Sequence, residues 1–305
     1  MKYFKYSYPI YRYGWKHKWK IPNKYTFHKS RCTGNIQSYS TNNDSYDVIV
    51  IGGGIIGTSV AYHLSKLGNE VLLLERDQLT SGTTWHAAGL LTTFGSLSST
   101  STYLRQYSKE LYSKVLPNET NMDCGYKDVG FIEIASDYDH YLYYKRVANY
   151  NRLCGINVEE ISPNQIQDLF PLCRVDDIYG GFYVKDDGRV NPYDVTMALA
   201  KGAKQNGVVI KEHCEVTDII TTKTQSQTIP TVYGVDTKCG QSFHTRKGIV
   251  NCAGMWARQL GEELNNVTIC NQAAEHYYLI TEPMDEVNPN WPVIEDPSKC
   301  KIYDY

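Results

Sequence analysis

The sequence predicts an α/β protein in which a parallel sheet forms one domain and an antiparallel sheet belongs to a second, α+β domain. Two runs of aliphatic residues, Asp47–Ile51 and Val71–Leu74, are typical of parallel strands buried on both faces. Between them, apolar residues recur from Ile56 to Leu67 at spacings of four, four and three, which predicts a helix. A composition of 42% hydrophobic and 21% charged residues is that of an ordinary globular chain.

Helical and strand patterns then alternate along the chain. Helices are predicted over Ser101–Val115, Asp137–Leu153, Ser162–Phe170 and Pro192–Gln205. Ser162 and Gln165 are expected to form a capping box at the start of the third. Strands are predicted over Gly130–Ala135 (exposed on one side), Val208–Ile210, Glu215–Ile220, Gly248–Cys252 and Glu275–Thr281, and hairpins over Tyr179–Gly188 and Val232–Thr245. Because αβ and all-β stretches interleave, we expect discontinuous domains, with 46–120 and 190–264 in the first and 121–189 and 265–305 in the second.

Basic residues are concentrated at the amino end. Residues 1–43 contain nine Lys or Arg and no acidic residue, a composition typical of mitochondrial transit peptides, and we expect residues 1–45 to be a leader cleaved between Arg31 and Asp44. The other 22 of the 31 basic residues face all 33 acidic residues, so the body of the protein lacks the positive charge that nucleic acids require. No apolar run approaches the roughly 18 residues of a membrane-spanning helix.

The nine cysteines are scattered at least 13 positions apart. A structural zinc site needs pairs of cysteines two to four residues apart, so the spacing predicts no metal site of this kind. Scattered single thiols are typical of a reducing compartment.

A glycine motif joins the first predicted strand to the first helix. In Gly52-x-Gly54-x-x-Gly57, the first glycine permits a tight turn, the second lets a pyrophosphate approach the backbone, and the third lets the helix pack on the strand. Glu75 ends the next strand, where its carboxylate can accept hydrogen bonds from ribose hydroxyls. The unit therefore predicts a Rossmann-like dinucleotide-binding domain with the phosphates at the helix N-terminus.

Two further segments carry a resemblance to a known family. Ser81-Gly-Thr-Thr-Trp-His-Ala-Ala-Gly89 follows the second strand, and Asn251-Cys-Ala-Gly-Met-Trp256 follows a later one. With residues 47–90, they resemble the FAD-dependent D-amino-acid-oxidase superfamily, and within it the sarcosine and dimethylglycine dehydrogenases. The similarity runs from about 46 to 305. It implies an FAD-binding, Rossmann-like domain of the glutathione-reductase type, with a discontinuous substrate domain.

The resemblance implies FAD as cofactor, attached covalently to His86 through the 8α-methyl group of its isoalloxazine ring. The cofactor-binding residues that the motif and the resemblance imply are Gly52, Gly54, Ile55, Ile56, Gly57, Glu75, Arg76, Gly82, Thr83, Thr84, Trp85, His86, Ala87, Ala88, Gly89, Leu90, Val216, Ala253, Gly254 and Trp256.

The same resemblance implies oxidative demethylation of an N-methylated glycine, with a hydride equivalent passing to flavin N5. Since hydride loss requires the neutral amine, the site needs a group that accepts a proton. His276 and Tyr278, two apart in a predicted strand, point to the same face and are the catalytic candidates, with ordinary sheet packing as the alternative. A mitochondrial matrix enzyme of this kind is expected to pass electrons to electron-transfer flavoprotein.

Alternatives remain open from the residues alone. Sarcosine and dimethylglycine are not distinguished as substrates. An NAD-dependent dehydrogenase is disfavoured by the Trp85-His86 segment, while a noncatalytic regulator resembling the regulatory subunit of pyruvate dehydrogenase phosphatase stays in consideration. The resemblance also implies a folate-binding domain beyond Tyr305, so we expect a fragment that is inactive by itself and that binds tetrahydrofolate only together with that domain.

Overall fold

The computed structural model describes residues 44–222, 231–265, 267–297 and 301–303. The strands are β1 (Ser45–Ile51), β2 (Val71–Leu74), β3 (Leu90–Leu91), β4 (Phe131–Ala135), β5 (Glu159–Ile161), β6 (Gly180–Val184), β7 (Gly188–Arg189), β8 (Val209–Lys211), β9 (Val216–Thr222), β10 (Thr231–Thr237), β11 (Ser242–Asn251), β12 (Val293–Asp296) and β13 (Lys301–Tyr303). The α-helices are α1 (Ile55–Lys66), α2 (Ser99–Glu110), α3 (Leu116–Thr120), α4 (Tyr138–Leu153), α5 (Pro163–Leu169), α6 (Pro192–Gln205) and α7 (Ala257–Asn265).

The larger sheet has the strand order β8-β2-β1-β11-β10-β9. Its first four strands are parallel, and the pairing of β1 with β2, with Val48 opposite Val71, confirms the predicted parallel unit. Alternate side chains of β1 and β2 enter two different apolar clusters, because successive residues of a strand face opposite sides of the sheet. The β10–β11 hairpin is also confirmed, although β11 runs on without a break through the strand predicted at Gly248–Cys252.

Helices α1 and α6 pack together on one side of this sheet. Ala61 and Tyr62 form the buried face of α1, whereas Ile56 and Leu67, which the periodicity placed on that face, are 65% and 78% exposed. The prediction of the buried face was therefore wrong at both ends of the helix. Small residues explain the error: a Cβ on Gly202 of α6 would lie 2.9 Å from the Tyr62 ring, so glycine makes the room that Tyr62 fills.

The second sheet has the order β13-β12-β4-β6-β5, with β12 parallel to β4 and the other pairs antiparallel. The prediction that β4 is exposed on one side was wrong, because all five of its residues are buried. Phe94, which follows β3, and Tyr144 of α4 cover one face of this sheet as part of an apolar cluster. The strands of the two sheets alternate along the chain within one compact unit, Asn43–Tyr305, and the proposed domain boundaries stay a prediction.

The hairpin predicted over Tyr179–Gly188 is wrong. Strand β6 pairs with β4 and β5, whereas β7 pairs with β3. The buried carboxylate of Asp187 explains the change of direction, since it accepts hydrogen bonds from the Thr93 backbone N–H (2.7 Å) and hydroxyl (2.9 Å) just after β3. Buried carboxylates in proteins are hydrogen-bonded, so the position of Asp187 is fixed by these donors.

The strand predicted over Glu275–Thr281 is also wrong. The segment is irregular and exposed, and no strand of the described residues pairs with it. A strand needs a neighbour to pair its backbone groups, which an apolar pattern alone does not supply. Other predictions hold: α4 and α6 match their expected ranges, and Ser162 and Gln165 form the predicted capping box of α5.

The predicted leader, residues 1–45, lies almost entirely outside the described residues. Within the described ranges, no helix combines the length and the apolar character needed to cross a lipid bilayer.

An acidic pair lies at the centre of the second sheet. Glu133 of β4 is 6% exposed, lies opposite the half-buried Glu295 of β12 and interacts with the hydroxyl of Tyr144. Burial, followed by the charge of Glu295, raises the pKa of Glu133 to about 8 from an ordinary 4.5, and burial also raises the pKa of Glu295. Arg105 lowers the pKa of Glu133 and Asp296 raises it to a smaller extent. The folded protein therefore holds Glu133 protonated at neutral pH.

We predict that this site makes the protein less stable as pH rises. Between about 4.5 and about 8 the folded chain binds a proton at Glu133 that the unfolded chain releases, so its contribution to the free energy of unfolding decreases as pH rises across that window. Glu133→Gln mimics the neutral acid and should be more stable than wild type at pH 8.5 by ~1–3 kcal/mol. Urea denaturation at several pH values measures this, with exposed Glu159→Gln as control. Identical pH dependence in wild type and Glu133→Gln would contradict it.

Candidate functional site

A cavity of about 570 Å³ opens at the carboxyl ends of the parallel strands β1 and β2, beside the loop that follows β11. Its volume is within the range of small-molecule sites, and open α/β sheets bind their ligands at this edge. The first turn of α1 and the loop after β2 form two walls, and α7 closes a third.

Two glycines create the close approach that shapes the cavity. Gly52 has a φ of 112°, and a Cβ there would lie 2.3 Å from the carbonyl oxygen of Cys252. A Cβ on Gly57 would lie 1.9 Å from the carbonyl oxygen of Gly52. Both distances are far shorter than any real contact, so any larger residue would force α1 and the end of β11 away from the loop.

Thr84 has a structural role that the sequence did not predict. Its Oγ1 accepts a hydrogen bond from the backbone N–H of Ile55 (3.1 Å), at the start of α1, where Gly54 supplies no side-chain cap. A Cβ on Gly54 would lie 2.8 Å from that same oxygen. Gly54 therefore makes room for Thr84, and the threonine ties the loop after β2 to the helix N-terminus.

Glu75 is held at the rim of the cavity by two backbone groups. Its Oε2 accepts a hydrogen bond from Gly53 N–H (2.6 Å) and its Oε1 accepts one from Asp77 N–H (2.9 Å). Each carboxylate oxygen can accept a further hydrogen bond, because it carries two lone pairs. The carboxylate is thus fixed in orientation and still able to bind hydroxyl groups.

Arg76 and Trp256 form an aromatic wall. The guanidinium lies over the indole ring, 4.1 Å from its centroid, a geometry that favours a cation–π interaction. The indole edge also approaches Gly82, where a Cβ would contact Trp256 Cζ3 at 3.5 Å. The wall joins the loop after β2 to the loop after β11.

Val216 also lines the cavity, together with its neighbours Cys214 and Thr217. Burial raises the pKa of the Cys214 and Cys252 thiols, both of which line the cavity, so each remains a protonated, weakly polar surface.

His86 lies at the edge of this region, in a 3-10 turn that spans Thr84–His86. The imidazole is exposed and packs against Trp85, with ring centroids 3.6 Å apart. Its Nδ1 is 3.3 Å from the Tyr278 hydroxyl, so the structure places the predicted attachment residue beside one catalytic candidate. His276 is exposed in the same irregular segment as Tyr278.

The structure brings together most of the predicted cofactor residues. Those lining the cavity are Gly52, Gly54, Ile55, Ile56, Glu75, Arg76, Gly82, Thr83, Thr84, Ala87, Val216, Ala253, Gly254 and Trp256. Those outside its lining are Gly57, Trp85, His86, Ala88, Gly89 and Leu90. Sequence reasoning missed Gln259, Leu260 and Glu263, which line the cavity from α7. The helical spacing of apolar residues in α7 could have predicted that helix. Its position over the cavity, however, depends on contacts distant in sequence.

The residues fit an adenine dinucleotide. The first-turn N–H groups of α1 are suited to phosphates, the fixed carboxylate of Glu75 to hydroxyl groups, and Trp256 with Val216 to flat apolar rings. No group of three metal-ligating side chains occurs among the residues that the structure describes.

Several known proteins are similar to this chain in sequence. The profile of the DAO family, FAD dependent oxidoreductase, matches residues 47–305. The mitochondrial pyruvate dehydrogenase phosphatase regulatory subunit of Mus musculus is 41% identical over 254 residues, covering 82% of this chain and 28% of that protein. The mitochondrial sarcosine dehydrogenase of Homo sapiens is 37% identical (82% of this chain, 27% of that protein). The mitochondrial dimethylglycine dehydrogenase of Rattus norvegicus is 35% identical (83% and 29%). The chain spans less than a third of the length of these relatives.

Solved structures share the fold. Glycine oxidase from Geobacillus kaustophilus superposes with a TM-score of 0.59 at 28% identity, covering 72% of this chain and 58% of that chain. L-proline dehydrogenase from P. horikoshii superposes with a TM-score of 0.65 at 24% identity, covering 72% and 56%. The predicted fold class, a dinucleotide-binding α/β fold with a parallel sheet and a second, mainly antiparallel sheet, is confirmed.

We predict that Thr84 stabilises α1 in the protein without cofactor. Thr84→Ala removes the hydrogen bond to Ile55 N–H and should lower the free energy of unfolding by ~1 kcal/mol, as loss of a helix cap does. Thr83→Ala is the matched control, because Thr83 is exposed and makes no side-chain cap bond. Urea denaturation measures both, and equal stability of the two variants would refute the capping role.

Proposed function

Because this chain belongs to the DAO family of FAD-dependent oxidoreductases, we propose that the cavity between β1, β2 and β11 binds FAD. The observation that carries the proposal is the carboxylate of Glu75, held beside the glycine loop by Gly53 N–H at 2.6 Å. In this arrangement the first turn of α1 would hold the pyrophosphate, Glu75 would bind the adenosine ribose hydroxyls, and Val216 would contact adenine.

The loop that contains His86 would hold the isoalloxazine end of the cofactor. Thr83, Thr84 and Ala87 line the cavity, and His86 lies between them in sequence, at the exposed edge. This placement supports attachment of the 8α carbon of the ring to the His86 imidazole, as the family resemblance implies. A ligand tethered at this point would remain bound after the protein unfolds.

The proposed reaction is oxidative demethylation of an N-methylated glycine, sarcosine or dimethylglycine. Bound FAD supplies the acceptor for a hydride equivalent from the N-methyl carbon. The chain's own groups must hold the amine in its neutral form, because an ammonium has no lone pair to stabilise the developing cation. Tyr278, whose hydroxyl lies beside His86, and His276 in the same segment are the proposed proton acceptors.

The proposed compartment is the mitochondrial matrix, since the names of three relatives place them in mitochondria and the basic amino end matches a transit peptide in composition. Electron-transfer flavoprotein is the proposed electron acceptor. Tetrahydrofolate is proposed as a partner only together with the folate-binding domain that the resemblance implies.

A second candidate function is regulation without catalysis. The 41% identity to a pyruvate dehydrogenase phosphatase regulatory subunit favours it. Under this alternative the fold and cavity would be retained, while no methylated glycine would be turned over. Flavin content and amine turnover, measured separately, therefore distinguish a flavoenzyme from a flavin-binding or flavin-free regulator.

We predict that flavin stays with the wild-type protein after acid precipitation and that His86→Ala releases it completely. The reason is that only His86 would form a covalent bond to the ring. Flavin fluorescence of the washed pellet and of the supernatant measures the two fractions. His276→Ala, which replaces a histidine exposed in the 275–281 segment, is the control and should keep its flavin in the pellet. Complete release from wild type would contradict covalent attachment.

We predict that the double variant His276→Ala, Tyr278→Phe loses about 100-fold in kcat/KM for sarcosine and dimethylglycine, a typical value for lost acid-base assistance. Reduction of an artificial dye measures turnover, in wild type and variants extended through the carboxyl-terminal domain that the resemblance implies. Tyr277→Phe is the control, because that hydroxyl is exposed and donates to Glu275 rather than toward His86. Unchanged kcat/KM in the double variant would remove the pair. Bound flavin without turnover of either amine in wild type would favour the regulatory alternative.

A further inference from the structure

We propose that Cys239 and Cys214 form a peroxide-reactive dithiol, a modification site on the wall of the cavity that closes into a disulfide. The site goes beyond the proposed function and does not depend on FAD, because its chemistry needs only the two thiols and a hydroperoxide. Cys239 lies in the turn between β10 and β11, and Cys214 precedes β9.

The backbone pairing of β9 with β10 brings the two cysteines close together in the fold. Thr237 pairs with Val216 across β10 and β9, and Lys238 N–H donates to the carbonyl oxygen of Glu215 at 2.9 Å. Cys239 and Cys214 are the next residue on each side, with Cys239 in the turn that follows β10. A disulfide spans Cα atoms roughly 4.4–6.8 Å apart, a separation that residues one position beyond a backbone hydrogen bond can reach.

The two thiols lie close enough to affect each other. Each contributes to the pKa shift of the other, after burial, which raises the pKa of Cys214, and after the Thr237 hydroxyl, which lowers the pKa of Cys239. No cysteine of the described residues is in a disulfide, so the pair is present as two free thiols. Bridging requires a change of side-chain torsion, and the backbone hydrogen bond between Lys238 and Glu215 beside the pair can stay in place.

The surroundings divide the chemical roles. Cys239 is exposed, and its Sγ lies 3.1 Å from Thr237 Oγ1. The Thr237 hydroxyl holds the pKa of Cys239 below its ordinary value, whereas burial raises the pKa of Cys214. Since the thiolate is the nucleophile, Cys239 reacts first with peroxide and the protected Cys214 resolves the product.

The chemistry balances with two electrons and one equivalent of hydrogen peroxide or an organic hydroperoxide. The Cys239 thiolate attacks the peroxide oxygen, the O–O bond breaks, and with one proton taken up the products are a sulfenic acid and water or an alcohol. Cys214 sulfur then attacks the sulfenic sulfur. The S–S bond forms, the S–O bond breaks, and the hydroxide leaves with the Cys214 proton as a second water.

The cysteine pair is connected to the cavity through Cys214. Cys214 lines the cavity, and its N–H donates to the carbonyl oxygen of Glu75 at 2.8 Å. A disulfide would draw the Cys214 sulfur toward the hairpin turn and link that turn to the wall next to Glu75. Cys239, on the exposed turn, is not among the cavity residues and stays open to peroxide when the cavity is filled.

Peptide mapping tests the proposal on the purified full chain, with its cofactor where it carries one. After hydrogen peroxide treatment and nonreducing tryptic digestion, we expect the peptide of residues 212–223 linked to the peptide of residues 239–246, with the loss of two hydrogen atoms, and reversal by a thiol reductant. Cys270→Ser is the control, since Cys270 is exposed but outside the pair, and should form the same link.

Two variants separate the roles. Cys239→Ser should leave Cys214 reduced under the same treatment, and Cys214→Ser should leave Cys239 as a sulfenic acid that dimedone captures. Thr237→Val should oxidise several-fold more slowly than wild type, with Thr237→Ser restoring the rate, which tests the hydroxyl without removing either thiol. Oxidised Cys239 in wild type with Cys214 still reduced, or linked to another cysteine, would overturn the proposal.

Discussion

The arrangement of this protein depends on how closely the start of α1 approaches the loop after β1 and the end of β11. The carbonyl oxygens of Gly52 and Cys252 occupy the space in which side chains of Gly57 and Gly52 would lie. This contact sets the helix N-terminus at the carboxyl ends of the parallel strands, where the cavity opens. Packing of α1 on α6 and burial of β1 hold the contact from outside the cavity.

Polar contacts then attach distant segments to the same point. Thr84 bonds to the start of α1 and Glu75 to the glycine loop, so the chain after β2 is joined twice to the chain after β1. Each contact has a structural partner and also presents a polar group to the cavity. The loop that carries His86 is thereby placed at the cavity edge, which connects the cofactor proposal to the segment containing Tyr278.

Local patterns predicted the features that local chemistry determines. The β1–α1–β2 unit, the glycine motif with Glu75 and the Ser162 cap depend on neighbours in sequence, and the structure contains each of them. The buried face of α1 was not predictable by hydropathy, since its small residues and Tyr62 are buried against α6, where Gly202 leaves room for the Tyr62 ring. The segment at Glu275–Thr281 has the apolar content of a strand but no partner among the described residues, and pairing is a long-range property.

The candidate site shows the same division. Motif residues predicted the glycine loop that borders the cavity, while the contribution of α7 and the proximity of Cys214 and Cys239 required knowledge of which elements are neighbours. The Glu133–Glu295 pair likewise depends on the register of β4 against β12, which run parallel and place these two residues opposite each other although they are 162 positions apart. The sequence predicted site residues that belong to one continuous segment. Only the structure shows the contacts that join two segments distant in sequence.

The flavin content of the purified protein tests whether the cavity binds FAD. The protein is expressed with riboflavin supplied, and its flavin-to-protein ratio is measured before and after incubation with FAD, with NAD as a competitor. We expect one flavin per chain, which NAD does not displace. A colourless protein that takes up no FAD, or one that binds NAD in its place, would contradict it.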